Sequence, residues 1–262
     1  MKKFISLTYY NFQYKTIGKM LRGMALIIPV VFMVSFLCNA QKQVWDYPIK
    51  SGTPQWKTYK STPDLVAAIQ MPDAILKNIS TEDLLTVCMN YPFLGHYSAS
   101  NSMYEGIMTT TSSFNGFVEF FKRKDAPTIF FNYYKKKRIE DIEISESIGG
   151  FTFEICGIEL LLTHEGIFQK YSKDEQTEIF KLLMKNSLKK KTYDKYFGFL
   201  GKMTTTFVAN KYAKLIGKKV VMSKDEKVQM SKELFENKML MTNIEIVNNL
   251  LTEIEEFSLT LK

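Results

Sequence analysis

Residues 172–207, SKDEQTEIFKLLMKNSLKKKTYDKYFGFLGKMTTTF, carry the reading that decides the fold. Ser172 stands three residues ahead of Glu175, the spacing at which a cap hydroxyl and a first-turn carboxylate satisfy each other's backbone N–H groups. Further on, Tyr193, Tyr196, Phe197, Leu200, Met203 and Phe207 recur at helical spacing and predict one long apolar face. A second SKDE box, Ser223 to Glu226, opens another helix. A weaker box, Thr242-Asn243-Ile244-Glu245, opens a final one on Ile244, Val247, Leu251, Ile254 and Phe257. The 51-residue offset of the two SKDE boxes hints at duplicated helical pairs, but the residues after them diverge and make no recognised repeat.

The same period extends towards the N-terminus. Residues 148–163 are apolar nearly all round and predict the most buried helix. A β-hairpin competes there, because Phe151-Thr152-Phe153 alternates briefly. Asp125-Ala126-Pro127 opens a helix with Ile129, Phe130, Tyr133 and Tyr134 on its apolar face, and Lys135 to Arg138 suit its C-terminal end. Phe114, Phe117 and Phe121 form the stripe of the helix before it. Ser61-Thr62-Pro63-Asp64 and Ser80-Thr81-Glu82-Asp83 are helix starts, and Asn90-Tyr91-Pro92 is a stop. The expectation is all-α: about nine or ten helices, as an irregular multi-helix bundle or stacked helical pairs, in one domain over residues 61–262. Ahead of it, residues 41–60 hold both tryptophans and read as an extended aromatic strap.

Residues 1–40 read as an N-terminal extension and signal peptide. Lys19 and Arg22 precede fourteen uncharged residues, Met24 to Leu37, and Ala40 suits the position before a cut that leaves Gln41 as the new terminus. A lipid on Cys38 is the less favoured alternative, because Leu37 stands where a small residue is wanted. Fourteen residues are short for a membrane span of about twenty. Removing residues 1–40 takes five basic residues from a chain of net charge +8, which leaves +3 and no general nucleic-acid footprint. Two cysteines remain, Cys88 and Cys156, both in apolar surroundings and expected to be buried free thiols.

Chemistry-bearing patterns are sparse. His164-Glu165-Gly166-Ile167-Phe168 lacks the second histidine of a zinc-protease helix, and His96 sits in a Gly95-His96-Tyr97 turn. No nucleophile elbow, phosphate loop or dinucleotide fingerprint is present, so neither a metal nor a cofactor is expected. One charge asymmetry stands out. Residues 181–224 hold twelve lysines against one acid, Asp194. Lys185, Lys189, Lys190, Lys191, Lys195, Lys211, Lys214, Lys218 and Lys219 are the candidate face for an anionic partner. In the competing reading these lysines solvate two helix ends and face the acidic final helix.

The strap Pro48-Ile49-Lys50-Ser51-Gly52-Thr53-Pro54-Gln55-Trp56, then Gln70-Met71-Pro72, Ser80-Thr81-Glu82-Asp83-Leu84, Asn90-Tyr91-Pro92, Phe114-Asn115-Gly116 and Phe121 to Asp125, resemble a group of exported proteins of Bacteroidetes. The likeness spans roughly residues 44–135. That group carries no established activity, so the resemblance implies export and a common fold and assigns no residue a role.

The sequence therefore predicts an exported, non-catalytic helical protein that binds a macromolecular partner in the periplasm or at the cell surface. That partner would be a protein or an anionic polymer, and not nucleic acid. Membrane contact is expected only through the signal or a lipid on Cys38. A hydrolase of envelope or host polymers using a carboxylate pair is the alternative, and an envelope scaffold a third reading.

Overall fold

The computed structural model describes residues 45–261. The expected signal peptide, Cys38 and the first residues of the strap lie outside the described residues. Within them the chain is helical without a strand. Twelve α-helices follow in order: α1 (Thr62–Ala68), α2 (Asp73–Asn78), α3 (Thr81–Met89), α4 (Met103–Ser112), α5 (Asn115–Phe120), α6 (Ala126–Lys136), α7 (Ile148–Leu161), α8 (Glu165–Phe168), α9 (Lys173–Thr192), α10 (Asp194–Leu215), α11 (Glu226–Lys238) and α12 (Ile244–Thr260). Short 3-10 helices at Trp56–Thr58, Leu94–Ala99 and Ile139–Ile144 bridge them. Nine of the α-helices have seven or more residues, in line with the periodicity.

Caps explain most of the starts. The hydroxyls of Ser61, Ser80, Ser102 and Ser147 each accept a backbone N–H from three residues on. Ser172 and Glu175 form the complete reciprocal box expected of them. The second SKDE does not. There Ser223 Oγ accepts from Asp225 N at 3.2 Å, while Asp225 caps α11 by accepting from Lys227 N and Val228 N. Lys232 Nζ holds the Val221 carbonyl at 2.9 Å and Gln229 Oε1 holds Ser223 N at 2.9 Å, so the loop is pinned past the serine before the helix begins. Likewise Asn243, not Thr242, caps α12.

The predicted face from Tyr193 to Phe207 is also not one straight helix. α10 breaks at Gly198, whose φ of 46° and ψ of −144° are cheap only for glycine. Residues 148–161 form a helix and not a hairpin, with Ile155, Cys156, Ile158, Leu160 and Leu161 all fully buried. At roughly 1.5–3 kcal/mol for each large apolar side chain, that burial outweighs the brief Phe-Thr-Phe alternation.

α9 packs along α10, and α10 also meets α7 and α12. At the other end, side chains tie the joins together. Gln70 Nε2 reaches the Val66 and Ser113 carbonyls, Asn115 N donates to Gln70 Oε1, and Asn115 Nδ2 donates to the Met71 carbonyl. Arg123 closes the end of α2 by donating to the carbonyls of Leu76 and Ile79. Ahead of α1, Tyr47 and Ile49 are buried, and the Tyr47 hydroxyl donates to the Val87 carbonyl at 2.9 Å. No described helix is long and apolar enough to cross a membrane.

Candidate functional site

The stop after α3 builds a ridge. Tyr91 is buried with its ring stacked on Phe114 at 4.7 Å, and its hydroxyl lies 3.1 Å from Ser113 Oγ. Phe93 is held between Trp56, 5.1 Å away, and His96, 4.8 Å away. The 3-10 helix Leu94–Ala99 follows, anchored by Tyr97, whose hydroxyl donates to the Phe153 carbonyl at 2.6 Å. Glycines let the neighbouring helices close on that anchor. A Cβ at Gly106 would stand 2.3 Å from the Tyr97 carbonyl, and one at Gly157 would stand 3.2 Å from its ring. The ridge is therefore fixed by packing from α4 and α7.

Three depressions adjoin along it. The first, about 640 Å³, is mainly apolar, with Pro63, Val66, Ala67, Phe93 and His96 in its wall. The second, about 570 Å³, mixes Leu94 and Phe153 with Asn90, Ser98, Tyr133, Lys137 and Glu154. The third, about 280 Å³, holds Glu82, Thr86, Asn132 and Lys136 beside Leu85 and Ile129. Tyr91 is a wall of both the first and second, and Tyr133 of both the second and third. The depressions thus form a trough graded from apolar to polar.

In the middle of the trough Lys137 Nζ lies 2.5 Å from Glu154 Oε1. Burial opposes the charge on Lys137, but the hydrogen bonds with Glu154 and Tyr133 outweigh it and hold its pKa above the ordinary lysine value. Burial raises the Tyr133 phenol. Both groups stay protonated near neutral pH, so this part of the trough offers fixed donors. Each depression contains at most one carboxylate: none in the first, Glu154 in the second and Glu82 in the third.

Elsewhere, Cys88 and Cys156 are free and buried, and burial raises both thiols, Cys156 to about 11. Among the described residues no three His, Cys, Asp or Glu side chains are placed to hold a metal ion. His96 borders the apolar depression, and His164 lies under Phe121 with ring centres 3.5 Å apart.

The nine candidate lysines do not form one open face. Lys189 pairs with Glu140, Lys190 with Glu159 at 2.8 Å, and Lys191 with Glu255 at 2.6 Å. Lys214 pairs with Glu236 and Lys218 with Glu253, each at 2.8 Å. Lys211 covers the rings of Tyr104 and Phe207, and Lys195 covers Tyr196. Lys185 and Lys219 are exposed. Glu253 and Glu255 belong to α12, so two of the five pairs are with the acidic final helix.

The Lys190 pair is the centre of a buried network. Glu159 is 0% exposed and Lys190 4%. Glu159 accepts from Lys190, from the Thr205 hydroxyl at 2.8 Å and from the Tyr134 hydroxyl at 3.0 Å, and Asn186 donates to Tyr134. The sequence carries no signal for the trough residues Tyr133, Lys137 and Glu154 as a group. They come from separate parts of the chain, and helical spacing records only which residues share one helix. Compared with protein-family models, with curated proteins and with solved structures, the chain matches none.

Proposed function

We propose that the protein is an exported, non-catalytic helical module that binds an extended segment of a protein partner, outside the cytoplasm, along the trough over Tyr91 and Tyr133. The adjoining row of depressions carries this reading. A polypeptide supplies both aliphatic side chains for the Val66 end and backbone donors and acceptors for the Lys137 end. Sugars would want exposed aromatic faces, whereas Tyr91 and Phe93 are buried and Phe93 is covered by Trp56 and His96. Hydrolysis by paired carboxylates needs two acids about 5–10 Å apart across one cleft. The lone carboxylate in each of two depressions favours binding over that chemistry.

Peptides selected on the immobilised protein and retested by fluorescence anisotropy provide the test. Val66→Arg fills the apolar end and Lys137→Met removes the central donor. Each is expected to weaken selected peptides by about tenfold or more, the equivalent of about 1.4 kcal/mol. Lys219→Met, an exposed lysine outside the trough, should leave affinity unchanged. Peptides that bind both trough variants as tightly as the parent would rule the site out. Export is tested separately by the mass of the mature chain, expected to begin at Gln41.

A further inference from the structure

Beyond the trough, the break in α10 forms a second cavity with a different chemistry. We propose that this cavity binds an oxyanion group of the phosphate class, with one of its oxygens seated at the break. The cavity has a volume of about 20 Å³, room for one oxygen-sized centre, and it opens to the surface between α9, α10 and α12.

Four observations converge on it. Gly198 turns the backbone out of the helical region, and a new helical segment starts after it and runs to Leu215. The first turn of a helical segment has N–H groups with no carbonyls of its own to bond, and these together with the helix dipole favour an anion. Gly201, one turn on, also lines the cavity, and a Cβ there would collide with Phe197 Cβ at 2.8 Å, so the backbone stays bare.

Ser187 on α9 is the second and independent feature. It is only 5% exposed, lines the cavity, and its hydroxyl has no hydrogen-bond partner among the described residues. An unpartnered buried hydroxyl costs about 1–3 kcal/mol, a penalty that a bound acceptor relieves. Lys190 is the third. Its ammonium spends one N–H on Glu159 and one on Thr205, at 2.8 and 2.9 Å, and a lysine has three to give. The rim supplies the fourth: Lys191 and Lys202 line the cavity with Asp194. Lys191 is held by Glu255, while the acceptor nearest Lys202 is the neutral Asn248 Oδ1 at 3.5 Å. Three ammonium groups face a single carboxylate, so the lining favours an anion.

A tetrahedral oxyanion suits this arrangement better than a halide. One oxygen takes the enclosed donors, and the remaining oxygens face the two rim lysines. Free phosphate and the headgroup of an anionic lipid share this chemistry.

Titration calorimetry of the full chain with inorganic phosphate, in sodium chloride of matched ionic strength, tests the proposal. Saturable one-to-one binding is expected. Ser187→Ala, which removes only the unpartnered hydroxyl, should weaken it about fivefold, and Lys202→Met about tenfold or more. Lys219→Met should leave it unchanged. Sedimentation with phosphatidylcholine vesicles carrying phosphatidic acid separates the sources. Co-sedimentation lost in Lys202→Met assigns the site to a lipid headgroup, and phosphate binding without co-sedimentation assigns it to a soluble ligand. No saturation by phosphate, an equal response to chloride alone, or undiminished binding by both Ser187→Ala and Lys202→Met would overturn the site.

Discussion

His164 shows how tightly one side chain can be fixed by its surroundings. Its Nδ1 accepts the Gly166 N–H at 3.0 Å, so that nitrogen must be unprotonated, and its ring lies flat on Phe121. Burial, with Lys170 adding to it, pulls its pKa from 6.5 to about 4. The folded protein therefore binds fewer protons here than the unfolded chain between these values. Stability from this residue is complete above about pH 6.5 and is lost as pH falls towards 4, by an amount on the order of 2–3 kcal/mol. Urea unfolding at pH 7 and pH 4.5 should show that loss, and His164→Gln should flatten the part of it above pH 4.5. Equal slopes in both proteins would refute the assignment. Glu159 presents the opposite case, a charge kept buried by its partners. Glu159→Gln leaves the Lys190 ammonium inside without a counter-charge and is expected to cost about 3–5 kcal/mol, while Glu159→Met with Lys190→Met should recover much of it. A double variant no more stable than the single one would show that the network is held by its hydrogen bonds instead of its charges.

Helices follow a different logic, because identical letters behave differently at 172–175 and 223–226. At the first site Tyr171 is buried and its carbonyl accepts from Gln176 in the same first turn, which leaves Ser172 at the cap, and the box closes. At the second, Lys232 and Gln229 hold the preceding loop, so the helix starts late and Asp225 takes the cap. Ser172→Ala should therefore cost about 1 kcal/mol and Asp225→Ala about the same, but Ser223→Ala less than about 0.5 kcal/mol, all read from urea midpoints. A Ser223→Ala loss as large as that of Ser172→Ala would restore the box. The helical period, the serine starts and the buried apolar run at 148–161 were legible because each depends on neighbours a few residues away. The break at Gly198 was not. Aromatic spacing from Tyr193 to Phe207 survives a one-residue turn, and glycine is tolerated within helical patterns often enough that its presence alone marks no break. Nor does Gly198-Phe199-Leu200-Gly201-Lys202 follow a strand or keep a phosphate-loop spacing, so its backbone conformation alone marks it out. Gly198→Ala places a Cβ at φ 46° and should destabilise the fold by about 1–2 kcal/mol.

Charge is the property that changes most between the chain as written and the molecule as folded. The lysine run at 181–224 is plain in the sequence, but its partners are not. Glu140, Glu159, Glu236, Glu253 and Glu255 come from the 3-10 helix Ile139–Ile144, α7, α11 and α12, and only the fold brings them to Lys189, Lys190, Lys214, Lys218 and Lys191. The trough was hidden for the same reason, since Tyr91 and Tyr133 stand on separate elements. Five of the nine candidate lysines are thus matched internally, and the remainder include two that cover aromatic rings. A polyanion that reads density of charge along a surface should find little to hold. Chain from Gln41 onward, of net charge +3, is accordingly expected to leave a heparin column below about 150 mM salt, where exposed charges are screened beyond about 8 Å. Glu140→Gln with Glu255→Gln frees Lys189 and Lys191 at partly exposed positions, and retention should then rise. If the parent chain were retained beyond about 300 mM and the double variant eluted with it, the lysines would be acting as a face despite their partners. The measurement also separates the two anionic proposals, because a single seated oxyanion predicts saturable phosphate binding without retention of a long polyanion.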